Sequence, residues 1–240
     1  MNREYQRWFS PALGRDMELL LFGHAGARLL VFPTSKSRYY EWEDRGMLDV
    51  MAEPIERGWL QVVCVDSVDE ESWYARHKRP GDRAWRHVQY DNYLRYEVVP
   101  FTQQNPNPFF MVTGASFGAY HAINFAFRHP HLVGRVLAMN GVYDIRGFVD
   151  GHHDDNVYFN NPVEYIANER DPARLDAFRR IDVILTIGEN EPQGLRENTE
   201  HFSQILWDKS IWHALRIWKG WAHDWPWWKE MVRSYLNGPA

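Results

Sequence analysis

The chain has 240 residues and a formal net charge of −5, with 45% hydrophobic and 25% charged residues. That length can bury one large core, so the sequence reads as a single domain over 1–240. The negative charge argues against nucleic acid or an anionic membrane, both of which favour basic stripes, and no run approaches the ~20 apolar residues that span a bilayer.

The start, "MNREYQRWFSPALGRD", is polar and carries no apolar signal segment, which points to a cytoplasmic protein. It reads as a hairpin: residues 4–9, a turn at "PALG", then residues 17–22. From there short apolar runs alternate with longer amphipathic stretches. The runs are 28–32, 60–65, 109–113, 135–139, 183–187 and 214–218, each short enough for a strand buried on both faces. The amphipathic stretches 44–57, 85–99, 117–128 and 195–207 are expected helices, and 226–236 closes the chain as another. An antiparallel hairpin followed by repeated strand–helix units gives a mostly parallel eight-stranded sheet covered on both faces, a three-layer α/β sandwich. In such sheets ligands bind at the carboxyl ends of the strands. Cys64, the single cysteine, lies in the run "LQVVCV" and reads as a buried, unreactive thiol. Twelve Trp, twelve Tyr and thirteen Phe mostly fill the core, although aromatics beside a catalytic loop would also make a pocket for an apolar or sugar-like ligand.

Chemistry gathers at three strand ends. After 109–113 comes "GASFG", and after Ser116 the residues Ala119, Ala122, Ile123, Ala126 and Phe127 share one helical face. A bare G-x-S-x-G is weak evidence, but strand, turn and helix together are what a nucleophile elbow requires. Ser116 is therefore the expected nucleophile. A serine needs a base, and "WKGWAHDWPWW" places His223 five residues beyond the last strand, before a helix that Asp224 can cap with Pro226 in its first turn. The acid that orients this imidazole belongs after 183–187, where the sequence reads "GENEP". Glu191 is the expected acid, with Glu189 and Glu197 as alternatives. The order Ser116, Glu191, His223 is the serine–acid–histidine order of α/β-hydrolases. The oxyanion hole needs the Phe117 amide and a second amide from "PTSKS" after 28–32, either Ser35 or Thr34.

The segments "SPALGRDMELLLFGH", "VFPTS", "YYEWEDRGM", "GASFGAYHAINFAFRHP", "GVYD", "VYFNNP" and "HDWPWW" together resemble the esterase family related to esterase D, within the α/β-hydrolase superfamily. The resemblance runs along nearly the whole chain. It implies a serine carboxylic-ester hydrolase and carries onto Ser116 and His223; "GENEP" stands where the family more often has an aspartate. No metal or organic cofactor is implied. The expected substrate is a small or accessible ester, because no lid insertion is evident. An acyl transferase with the same triad, or a non-catalytic binding module on this scaffold, are the alternatives, and assembly into a homo-oligomer is left open.

Other signals have blander readings. "GHHDD" at 151–155 looks like a metal cluster, but adjacent ligands rarely converge, so a solvated loop near the site entrance is expected. "RHKR" at 76–79 reads as a solvated loop rather than a nucleic-acid contact. His121, off the apolar face of its helix, is expected to be structural. The connection 66–82 is long enough to overhang the pocket, where Trp73 and Tyr74 would meet substrate or simply pack.

Overall fold

The computed structural model describes residues 1–236. The strands are β1 (Arg3–Ser10), β2 (Arg15–Phe22), β3 (Ala27–Phe32), β4 (Leu60–Val65), β5 (Phe110–Ala115), β6 (Arg135–Met139), β7 (Asp182–Gly188) and β8 (His213–Trp218). They form one sheet in the order β1-β2-β4-β3-β5-β6-β7-β8. β1 and β2 pair antiparallel and β2 pairs antiparallel to β4, while every pairing from β4 through β3 to β8 is parallel. This is the α/β-hydrolase architecture, and it puts the ends of β3, β5, β6, β7 and β8 side by side.

The helices are α1 (Glu41–Asp44), α2 (Ala52–Glu56), α3 (Pro80–Tyr93), α4 (Val99–Thr102), α5 (Phe117–Arg128), α6 (Asp155–Tyr158), α7 (Pro162–Asn168), α8 (Pro172–Phe178), α9 (Gln193–Asp208) and α10 (Trp225–Leu236). Alternation along the strands sorts the core into two layers. Val63, Phe110 and Val112 face Tyr90 of α3, Ile123 of α5 and Phe202 of α9. Val62, Cys64 and Met111 face Trp42 of α1, Ile55 of α2 and Met231 of α10.

Two expected helices come out differently. The stretch 44–57 is broken: Gly46 takes a left-handed φ of +66°, and a 3₁₀ turn at Asp49–Met51 precedes α2. The stretch 85–99 starts earlier, because Pro80 sits in the first turn, where its missing N–H costs nothing. It then passes through a π-turn at Leu94–Val98 before α4. In the connection after β4, Trp73 packs inward while Tyr74 reaches the Ser35 hydroxyl. Trp73 is fully buried, within 5.1 Å of the His87 ring.

Candidate active site

At the end of β5 the chain turns sharply. Ser116 has φ +54° and ψ −122°, a conformation that costs an L-residue on the order of 1–3 kcal/mol and is held only by its surroundings. Those surroundings are visible. The Ser116 amide donates to the Met139 carbonyl of β6 at 2.8 Å, and α5 starts at the next residue. A Cβ on Gly114 would come within 2.3 Å of the Gly118 backbone, so strand and helix meet only because Gly114 has no side chain. From Phe110 to Phe127 every residue is buried except Ser116, which solvent reaches. The elbow thus presents one hydroxyl from an otherwise sealed segment.

Gly118 does a different job. A Cβ there would lie 2.5 Å from the Pro33 carbonyl and 2.7 Å from that of Phe32. Its absence lets the loop after β3 close on the N-terminus of α5, the positive end of the helix dipole, which begins at Phe117. Within that loop the two candidate second donors separate. The Thr34 amide and hydroxyl both donate to Glu41, at 2.8 and 2.6 Å, so Thr34 is spent on anchoring the loop. Of the pair, Ser35 remains as the candidate donor, its hydroxyl accepting from Tyr74 Oη at 2.9 Å.

The candidate acid and base come together from the ends of β7 and β8. Gly188 abuts the histidine loop so closely that a Cβ would sit 2.7 Å from the Ala222 nitrogen. The Glu189 amide bonds the Trp218 carbonyl and the Asn190 amide bonds that of Gly220, at 2.8 and 3.0 Å. The Glu191 side chain is buried, and its Oε2 stands 3.4 Å from His223 Nδ1. That is long for a hydrogen bond, yet both atoms are sealed from solvent and neither has another partner. Catalytic contacts of this kind commonly tighten once substrate binds. Glu189 is exposed, and Glu197 is exposed with its carboxylate taken by Gln193 Nε2 at 2.6 Å. Asp224 directly precedes α10, its side chain accepting from the Trp225 amide at 2.7 Å and its carbonyl from the Trp227 and Trp228 amides at 3.1 Å.

One member of this assembly was invisible in the sequence. Asn140, fully buried just after β6, donates through Nδ2 to Glu191 Oε1 at 2.6 Å and accepts from Trp228 Nε1 at 3.0 Å. Its φ is +53°. The Trp228 ring in turn meets the His223 ring edge-on at 5.3 Å between centroids. A non-glycine residue forced left-handed at a strand end was the available signal, but φ cannot be read from an asparagine.

His121 does not lie off an apolar face. α5 is buried all round, and His121 pairs with buried Asp69 at 2.8 Å. In the "GHHDD" loop, His152 pairs with Asp154 and His153 with Glu164. Among the described residues no three His, Cys, Asp or Glu gather to hold a metal, and no helix is long and apolar enough to cross a membrane. Burial raises the Cys64 thiol far above its ordinary range, in keeping with an inert side chain.

The Putative esterase family matches residues 49–234, more than three-quarters of the chain, and takes in Ser116, Glu191 and His223. The chain belongs to this esterase family. As a member, this chain is a carboxylic-ester hydrolase acting on small-molecule esters. The fold is shared with a ferulic acid esterase (TM-score 0.77, 17% identity, covering 98% of this chain and 96% of that one). An S-formylglutathione hydrolase from Agrobacterium tumefaciens is also similar (TM-score 0.75, 14% identity, covering 98% and 92%). So is one from Staphylococcus aureus (TM-score 0.70, 15% identity, covering 97% and 96%). No curated protein sequence matches the chain.

Proposed function

We propose that this esterase works through a Ser116–His223–Glu191 triad, with the amides of Phe117 and Ser35 as the oxyanion hole. The observation that carries the reading is the sealed apposition of Glu191 Oε2 and His223 Nδ1, in a sheet whose row of parallel strand ends also carries a strained, solvent-reached Ser116. With Nδ1–H directed at the carboxylate, Nε2 is left as the base. Ser116 Oγ bonds to the ester carbonyl carbon while its proton passes to His223 Nε2. The carbonyl oxygen takes the negative charge and meets the two amides. Collapse breaks the carbon–alkoxide bond, and His223 returns the proton to the leaving alcohol. Water then repeats the sequence on the acyl-enzyme, releasing the carboxylic acid and restoring the serine. The cycle calls on no metal or organic cofactor.

A small or accessible ester suits a serine that solvent reaches directly. The test is fluorophosphonate labelling of Ser116, together with turnover of p-nitrophenyl esters of increasing acyl length. Wild-type protein labels and hydrolyses the short esters, whereas Ser116→Ala does neither, losing at least ~10⁴-fold in kcat. Folded wild-type protein that fails to label would sink the triad. Product analysis with added alcohols measures how far the acyl group goes to water rather than to another acceptor.

A further inference from the structure

Beneath the loop after β3 lies a second carboxylate–imidazole pair that the triad does not use. Asp69 and His121 are both buried, with Asp69 Oδ1 2.8 Å from His121 Nε2. The other oxygen, Asp69 Oδ2, accepts the Lys36 amide at 2.9 Å. Lys36 directly follows Ser35 and has φ +58°, a left-handed conformation that a side-chain-bearing residue adopts only under constraint. The bond to Asp69 supplies a constraint of that kind, and it acts on the peptide next to the proposed oxyanion donor. His121 lies about one helical turn beyond Phe117 on α5, and the two rings meet edge to face with centroids 5.1 Å apart. A single buried carboxylate therefore joins the loop bearing one oxyanion donor to the helix that begins with the other.

Two further contacts brace this link. Tyr74, five residues past Asp69, donates to the Ser35 hydroxyl and packs edge-on against Phe117 with centroids 5.1 Å apart. His87 stacks on His121 at 5.4 Å. Burial, with His121 beside it, pushes the His87 imidazole well below its ordinary pKa, so the stacked ring is neutral. Van der Waals packing alone would not need a carboxylate here, and burying one is costly unless each oxygen is bonded. Both are.

We propose that Asp69 and His121 are positioning residues for oxyanion stabilisation, fixing the Ser35 amide at its working separation from the Phe117 amide. The proposal rests on the esterase reading above. Oxyanion donors act on charge that develops during attack, so their displacement lowers kcat and leaves substrate binding nearly unchanged.

The experiment compares Asp69→Ala and Asp69→Asn with wild type on p-nitrophenyl acetate, alongside inhibition by a trifluoromethyl ketone and by the carboxylate product. Asp69→Ala is expected to lose ~10²-fold in kcat, with KM within about threefold, and to lose affinity for the ketone in parallel but not for the product. Asp69→Asn keeps an oxygen for the Lys36 amide and recovers most of the loss. Should Asp69→Ala not fold, His121→Leu cuts the link to α5 while leaving the Lys36 contact, and shows the same split at about tenfold. Unchanged kcat in a folded Asp69→Ala or His121→Leu, or equal loss of ketone and product affinity, would overturn the proposal. Wild-type labelling and turnover are read separately, so failure of the triad shows as an inert wild type and failure of this inference as an active variant.

Discussion

Ser116 and its turn are placed by backbone, whereas Glu191 and His223 are placed by side chains that reach across three strand ends. At the nucleophile, the decisive contacts are two glycines whose missing Cβ atoms let main chain touch main chain, and an amide of the elbow held by β6. At the acid–base end, backbone bonds tie the two loops together, but the working contact depends on Asn140, Glu191, Trp228 and His223 in series. Backbone placement is stiff and costs strain. Side-chain placement is adjustable, and its 3.4 Å gap has room to tighten around a bound ester.

This contrast can be broken from either side. The largest effect within the acid–base end is expected for Glu191→Gln, which leaves the shape but removes the charge that orients and stabilises the imidazolium. kcat should fall ~10³- to 10⁴-fold, against no change for Glu189→Gln and Glu197→Gln; equal turnover in all three would move the acid elsewhere. Gly118→Ala comes next. The added Cβ forces the Pro33 carbonyl away, so kcat should drop ~10²-fold while the protein loses about 1–3 kcal/mol to overpacking, read by thermal unfolding. A variant with normal turnover would show that the loop approach does not matter. Asn140→Ala frees Glu191 Oε1 and leaves alanine in a left-handed conformation. About a tenfold fall in kcat is expected, with Ser116 still labelled by fluorophosphonate, because the elbow does not depend on this side chain.

The smallest effect is on stability against pH, and the two halves should differ in where it appears. His213, at the start of β8, has its pKa lowered mainly by burial, partly offset by the Ile211 carbonyl. A depressed histidine binds fewer protons folded than unfolded. Its contribution is present above the unfolded value of about 6.5 and is lost as pH falls below it. Asp91, which anchors the end of α5, is pulled upward by burial, but bonds from His129 and Arg128 outweigh that and leave it depressed. Its contribution persists until pH falls below the unfolded value of about 3.9. Urea midpoints should therefore converge between wild type and His213→Gln at higher pH than between wild type and Asp91→Asn. The reverse order would contradict the assignment.

The succession of strands along the chain and the placing of Ser116 and His223 just past strand ends were legible because they depend on local pattern, namely apolar runs of strand length, a glycine-flanked serine, and a histidine after the last run; the order of the strands within the sheet was not. The broken stretch 44–57 was less legible, since its amphipathic spacing survives while Gly46 turns the chain through a left-handed conformation. The choice of Glu191 over its neighbours needed burial, which separates three chemically identical carboxylates.

By itself, the sequence determined the succession of strands and helices, the turn at Ser116, and the chain order of the proposed nucleophile, acid and base, because each is written in residues near one another along the chain. Tertiary structure alone decided which carboxylate faces His223, that Thr34 is consumed by Glu41, and that Asn140, Asp69 and His121 support the site. Apart from Thr34 and Glu41, seven positions apart, those contacts join residues tens of positions apart. Their meaning comes from burial, which leaves a polar group no partner except the one the fold presents.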